Sequence, residues 1–64
     1  MFIVYMRGTH TQMDKIAGTY IADESAARRQ AIAIANGRQH EVYIVERIGD
    51  YSDIIWDSNN ETVD

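Results

Sequence analysis

Sixty-four residues leave room for one hydrophobic core, and a chain this short buries only roughly 60% of the surface its unfolded form would expose. Cysteine is absent, which excludes disulfides and thiolate metal sites, while 45% apolar and 25% charged residues are ordinary for a globular chain. The net charge of −4 is unevenly placed: residues 1–49 carry six basic groups against five acidic ones, and residues 50–64 carry Asp50, Asp53, Asp57, Glu61 and Asp64 with no basic residue. Duplex nucleic acid is a poor partner for such a balance, because phosphate binding needs concentrated Lys and Arg; a basic patch on another protein is the better electrostatic match.

Phe2-Ile3-Val4-Tyr5-Met6 is rich in β-branched and aromatic residues and reads as the first strand, ending before Gly8. The polar run Gly8–Gln12 reads as a loop. A second strand is expected over Lys15–Ala22, antiparallel to the first because the connection is too short for a crossover. Gly18 marks a bulge or a close backbone approach in it.

A helix is expected near residues 24–36. Asp23 can cap it, Glu24 places a negative charge in the first turn, Ser25 is a reserve cap, and Ser25–Ala35 contains five alanines. Ala27, Ala31, Ile34 and Ala35 share one stripe at helical periodicity, so the helix can lie close against a sheet. Arg28 and Arg29 fall away from that stripe. Asn36-Gly37 offers a left-handed exit, and Arg38 complements the C-terminal dipole.

Glu41–Ile48 reads as a third strand, Gly49-Asp50 as a tight turn and Tyr51–Trp56 as a fourth strand. Residues 1–57 thus form one α+β domain of order β-β-α-β-β, a small antiparallel sheet with one helix on one face. Residues 58–64 read as an acidic, flexible tail. Large apolar side chains occur on both faces of the first and third strands, and a single helix covers only one. The other face must be covered by the fourth strand, a second copy of the chain or a partner.

Catalytic chemistry is not expected. His10 and His40 have no metal-ligand or general-base spacing, the serines lack a glycine elbow, and the four glycines are scattered. No cofactor and no metal is implied. The longest apolar run, Met1–Met6, is too short to span a bilayer, and no secretory signal pattern is present, so a cytoplasmic protein without membrane attachment is expected.

The aromatic residues are the most suggestive set. Tyr43, Tyr51 and Trp56, with Arg47 and the carboxylates of Asp50, Asp53 and Asp57, have the composition of a protein interface, aromatic anchors rimmed by charge. They are the expected partner-binding residues. Two alternatives come from other classes: a single-stranded nucleic-acid binder using Tyr5, Tyr20, Tyr43, Arg7 and Arg47, and a homodimer formed through the uncovered sheet face.

Tyr20-Ile21-Ala22-Asp23, followed by Ala27 and Ala31 and by Glu41-Val42 opening the next strand, resembles small phage proteins that disable host machinery. The family of RNA-polymerase inhibitors of T7-type phages is one such group, and some anti-CRISPR proteins share the layout. The likeness spans residues 20–47 and implies a strand-strand-helix-strand order and a phage-encoded, cytoplasmic inhibitor of a host protein. The family's polymerase-contacting arginines fall on Ile44 and Glu46 here, and Arg47 points to the opposite face. Polymerase is therefore not implied as the target.

Overall fold

The computed structural model describes residues 1–38 and 41–59. The expectations for His40, for the side chain of Arg38 and for the tail beyond Asn59, Glu61 and Asp64 included, lie outside the described residues.

The elements are β1 (Phe2–Met6), β2 (Lys15–Tyr20), α1 (Glu24–Arg38), β3 (Val42–Ile48) and β4 (Tyr51–Asp57). All strand pairs are antiparallel, in the order β2-β1-β3-β4. The expected α+β fold and its β-β-α-β-β order are present. β2 stops at Tyr20, short of Ala22, because Tyr20 stands opposite Phe2, the first residue of β1, and the ladder has no further partner there. The register slips between Val4 and Tyr5, opposite Gly18 and Ile16, so the irregularity expected at Gly18 is observed.

The helix begins as its cap chemistry requires. The Ala26 amide donates to Asp23 Oδ1 at 2.9 Å, and Arg28 pairs with Glu24 one turn earlier at 2.7 Å. It runs through Asn36-Gly37 to Arg38, two residues beyond the expected end. Gly37 permits a left-handed exit without requiring one, and here it continues the helical backbone; Gly49, in the β3–β4 turn, is the glycine with positive φ, +59°.

Ala27 and Ala31 are fully buried and Ile34 nearly so, which brings α1 close to the sheet. Opposite them lie Phe2 and Val4 from β1 and Val42 and Ile44 from β3, with Met6, Ala17, Tyr20, Ala35, Ile55 and Trp56 packed around this centre. Val4, Val42 and Ile44 are wholly enclosed, each contributing roughly 1.5–3 kcal/mol of hydrophobic stabilisation. The helix packs on β1, β2 and β3. β4 lies outside its shadow as an edge strand in the plane of the sheet and does not curl over the other face.

Residues 58 and 59 depart from a loose tail. The Ser58 amide donates to the Val42 carbonyl at 2.9 Å, the Val42 amide donates to Ser58 Oγ at 3.0 Å, and the Asn59 amide donates to Asp57 Oδ1 at 2.9 Å. The chain is thereby tied to β3 for one position past β4.

Candidate functional surfaces

The strand registers sort side chains onto two faces. Phe2, Val4 and Met6 of β1 with Val42, Ile44, Glu46 and Ile48 of β3 face the helix side. Ile3 and Tyr5 with Tyr43, Val45 and Arg47 face the opposite, helix-free side. On β4 the pairing skips Ile55: Ile44 pairs with Trp56, but Val45 pairs with Ile54. This bulge changes the phase of the strand, so Tyr51, Asp53 and Trp56 share the helix side and Ser52, Ile54 and Asp57 the helix-free side.

The seven expected partner-binding residues are consequently divided. Tyr43, Arg47 and Asp57 lie on the helix-free face, Tyr51, Asp53 and Trp56 on the helix side of β4, and Asp50 in the turn between β3 and β4.

At one end of the helix-free face the side chains form a connected cluster. The rings of Tyr5 and Tyr43 stack with centroids 5.2 Å apart, and the Arg7 guanidinium lies 5.0 Å from the Tyr43 centroid. Arg7 also donates to Asp57 Oδ2 at 2.7 Å. Tyr5 on β1 and Asp57 on β4 flank Tyr43 on opposite sides, so the Tyr43 ring has Tyr5 against one face and the arm of Arg7 over the other. The Tyr43 hydroxyl donates to Asp14 Oδ2, and the Gly8 amide donates to Asp14 Oδ1 at 2.6 Å. These contacts join the β1–β2 loop to β3.

The electrostatics follow from these contacts. Asp14 is held below the usual carboxylate range, first by the Gly8 amide and then by the Tyr43 hydroxyl. Tyr43 is pushed up to about 12, first by burial of its ring and then by its hydrogen bond to the Asp14 carboxylate. Both shifts describe a locked structural cluster. A ring already covered on both faces cannot stack a nucleic-acid base, and Tyr20 packs against the core on the helix side. The five residues of the nucleic-acid set therefore do not form one platform.

The second surface is a ledge on the helix side of β3 and β4, beyond the reach of α1. Ile48 and Tyr51 pair across the ladder and are 62% and 59% exposed. The next pair on this side is Glu46 opposite Asp53, two carboxylates facing one another, with Asp50 in the adjoining turn. Among the described residues no cation forms an ion pair with either. Trp56 and Ile55, half-buried, connect the ledge to the core. Glu46 was not among the residues expected from the sequence; strand alternation places it opposite Asp53 only once the register is known.

Other features carry less. An open groove of about 600 Å³ runs between α1 and β2, lined by Met6, Ala17, Gln30, Ala33, Ile34 and Gly37. Among the described residues it holds one polar side chain, that of Gln30, and no titratable group. His10 is exposed in the β1–β2 loop. Among the described residues no three His, Asp or Glu side chains are grouped to hold a metal ion, and no helix is long and apolar enough to cross a membrane. Comparison with known proteins finds no match: no family model fits the chain, and neither a curated protein nor a solved structure resembles it significantly.

Proposed function

We propose that this chain is a non-enzymatic binding protein whose β3–β4 ledge attaches to a basic, partly apolar patch on another protein and blocks it. The observation that carries the reading is the Glu46–Asp53 pair. Like charges set directly opposite one another in a ladder destabilise it, and these two stand beside exposed Ile48 and Tyr51. A cation supplied by a partner would turn that repulsion into attraction, while Tyr51 and Ile48 supply the apolar contact that charge alone does not. Asp50 and Asp53 remain the acidic contacts expected from the sequence. Asp57 is engaged internally by Arg7 and leaves that set. The likeness of residues 20–47 to phage inhibitors adds a class of target, a host protein, and a cytoplasmic setting.

The test uses the tagged chain as bait in nuclease-treated bacterial lysate. One protein recovered near stoichiometry, released by salt and lost when Asp50→Lys and Asp53→Lys are combined, is the expected result. Undiminished capture of the same protein by that double variant at low salt would overturn the ledge as the contact surface. A band retained only when nuclease is omitted would replace the reading with nucleic-acid binding.

A further inference from the structure

The helix-free face has an internal symmetry of chemistry. Its middle row crosses the sheet as Thr19, Ile3, Val45 and Ile54, on β2, β1, β3 and β4 in turn. Ile3 is buried and Val45 half-buried by their neighbours alone, and Ile54 is 53% exposed. To one side of this row lie Ile16, Tyr5, Tyr43 and Asp57, with Asp14 hydrogen-bonded to the tip of Tyr43. To the other side lie Arg47 and Ser52. The Arg7–Asp57 pair is internally neutralised. Among the described residues this leaves Arg47, with the N-terminal ammonium on its carbonyl, outside any ion pair at one end of the face, and the carboxylates of Asp14 and Glu41 outside any ion pair at the other.

We propose that this face binds a second copy of the chain. A two-fold axis parallel to the sheet and about 5 Å from it on the helix-free side, perpendicular to the strands and over the Ile3–Val45–Ile54 row, lays each strand over its equivalent in reverse direction. The apolar row then packs on itself, at the ~10 Å spacing and small angle of aligned sheet packing. The ends of the strands exchange places. Arg47, about 13 Å along β3 from Tyr43, comes over the Tyr43–Asp14 end of the other copy, and symmetry makes this charge pairing occur twice. Arg47 meets the Asp14 carboxylate there, and the Arg7 guanidinium beside Tyr43 is already neutralised by Asp57, whereas a purely acidic or purely basic partner would meet one end with repulsion. Self-association also suits a chain with so small a core. The ledge proposed above lies on the other side of the sheet, so a dimer would present two copies of it outward.

The test is light scattering and sedimentation of the intact chain over a range of concentration and salt. A mass twice that of the chain is expected, dissociating more readily as salt rises. Ile54→Lys, at an exposed position, and Arg47→Glu should each raise the dimer dissociation constant more than about tenfold with unchanged circular dichroism, while Arg47→Lys should retain the dimer. A monomer at every concentration overturns the proposal. So does a dimer indifferent to both Ile54→Lys and Arg47→Glu, since another surface would then hold it. Neither result bears on capture of a partner by the ledge, whose loss tracks Asp50 and Asp53.

Discussion

Arg7 reaches from the end of β1 to Asp57 at the end of β4, fifty residues away in the chain, and closes a 2.7 Å ion pair across the ring of Tyr43. Two strands that are not neighbours in the sheet are thereby tied together over the one between them. Asp57 is largely shielded, and Arg7 Nε is buried without an acceptor, so the arginine is held by its packing and its outer nitrogen. Arg7→Met, which keeps the apolar stem and removes the charge, should cost about 1–2 kcal/mol, between the values usual for exposed and buried pairs. A urea titration followed by the fluorescence of Trp56, the sole tryptophan, measures it.

Tyr43 and Asp14 give the chain opposite pH limits. The folded Tyr43 ionises near 12, above its ordinary 10, so its contribution to stability is complete below about pH 10 and is lost as pH rises through 12. Asp14 is depressed, so its contribution is present above the ordinary carboxylate range and is lost as pH falls through its lowered value. A titration of tyrosinate absorbance should show Tyr43 lagging behind the ordinary value of 10. In Asp14→Asn the lag should shrink without vanishing, because burial of the ring is the larger cause. An unchanged titration in that variant would separate the two residues.

Gly8 should tolerate no side chain. A Cβ there would strike the Gln12 carbonyl oxygen and approach the Met13 carbonyl carbon to 2.6 Å, both backbone atoms that cannot swing aside. Gly8→Ala must therefore open the β1–β2 loop and pull the Gly8 amide from Asp14. A loss of more than about 1 kcal/mol is expected, with the Tyr43 titration moving down toward its ordinary value. The two readouts together distinguish loop opening from general destabilisation.

Most of the architecture was legible from local signals. Asp23 as cap, the Ala27–Ala31–Ile34 stripe and the alternation in Val42–Ile48 each have one structural solution, and the fold contains all three. The division of the aromatic and acidic residues was not legible, for a physical reason. Tyr51–Asp57 read as an unbroken strand puts Tyr51, Asp53 and Asp57 on one face and Trp56 on the other. The bulge at Ile55 reverses that phase, and Ile54-Ile55-Trp56 contains no glycine or polar residue to announce it. The Arg7–Asp57 pair was hidden likewise, because it depends on β4 extending one residue beyond Trp56 and on that same change of phase.

Gly37 predicts a change of the opposite sign to Gly8. It lies inside α1, and a Cβ there would meet nothing within 4 Å among the described residues. Gly37→Ala removes backbone freedom from the unfolded chain without a clash in the folded one, and should stabilise by about 0.5–1 kcal/mol. A gain in the thermal midpoint measures it. Destabilisation would mean that Gly37 leaves the helical conformation in solution.

Asp53 separates stability from binding. It faces Glu46 across the β3–β4 ladder with no described cation between them, so the chain folds against a repulsion of roughly 0.2–1 kcal/mol. Asp53→Asn should raise the denaturation midpoint at low ionic strength by an amount in that range, and Asp53→Lys by slightly more, because Glu46 then gains an opposite charge. Added salt should shrink both gains as it screens the pair. If the ledge is the contact surface, the same two substitutions should weaken capture of the partner in the same order, Lys more than Asn. A variant that is more stable and binds less is what a site retained for recognition produces, since the repulsion is relieved by the partner in the native complex. If both substitutions raise stability and leave capture unchanged, the carboxylate pair is only a cost to the fold and the contact lies elsewhere.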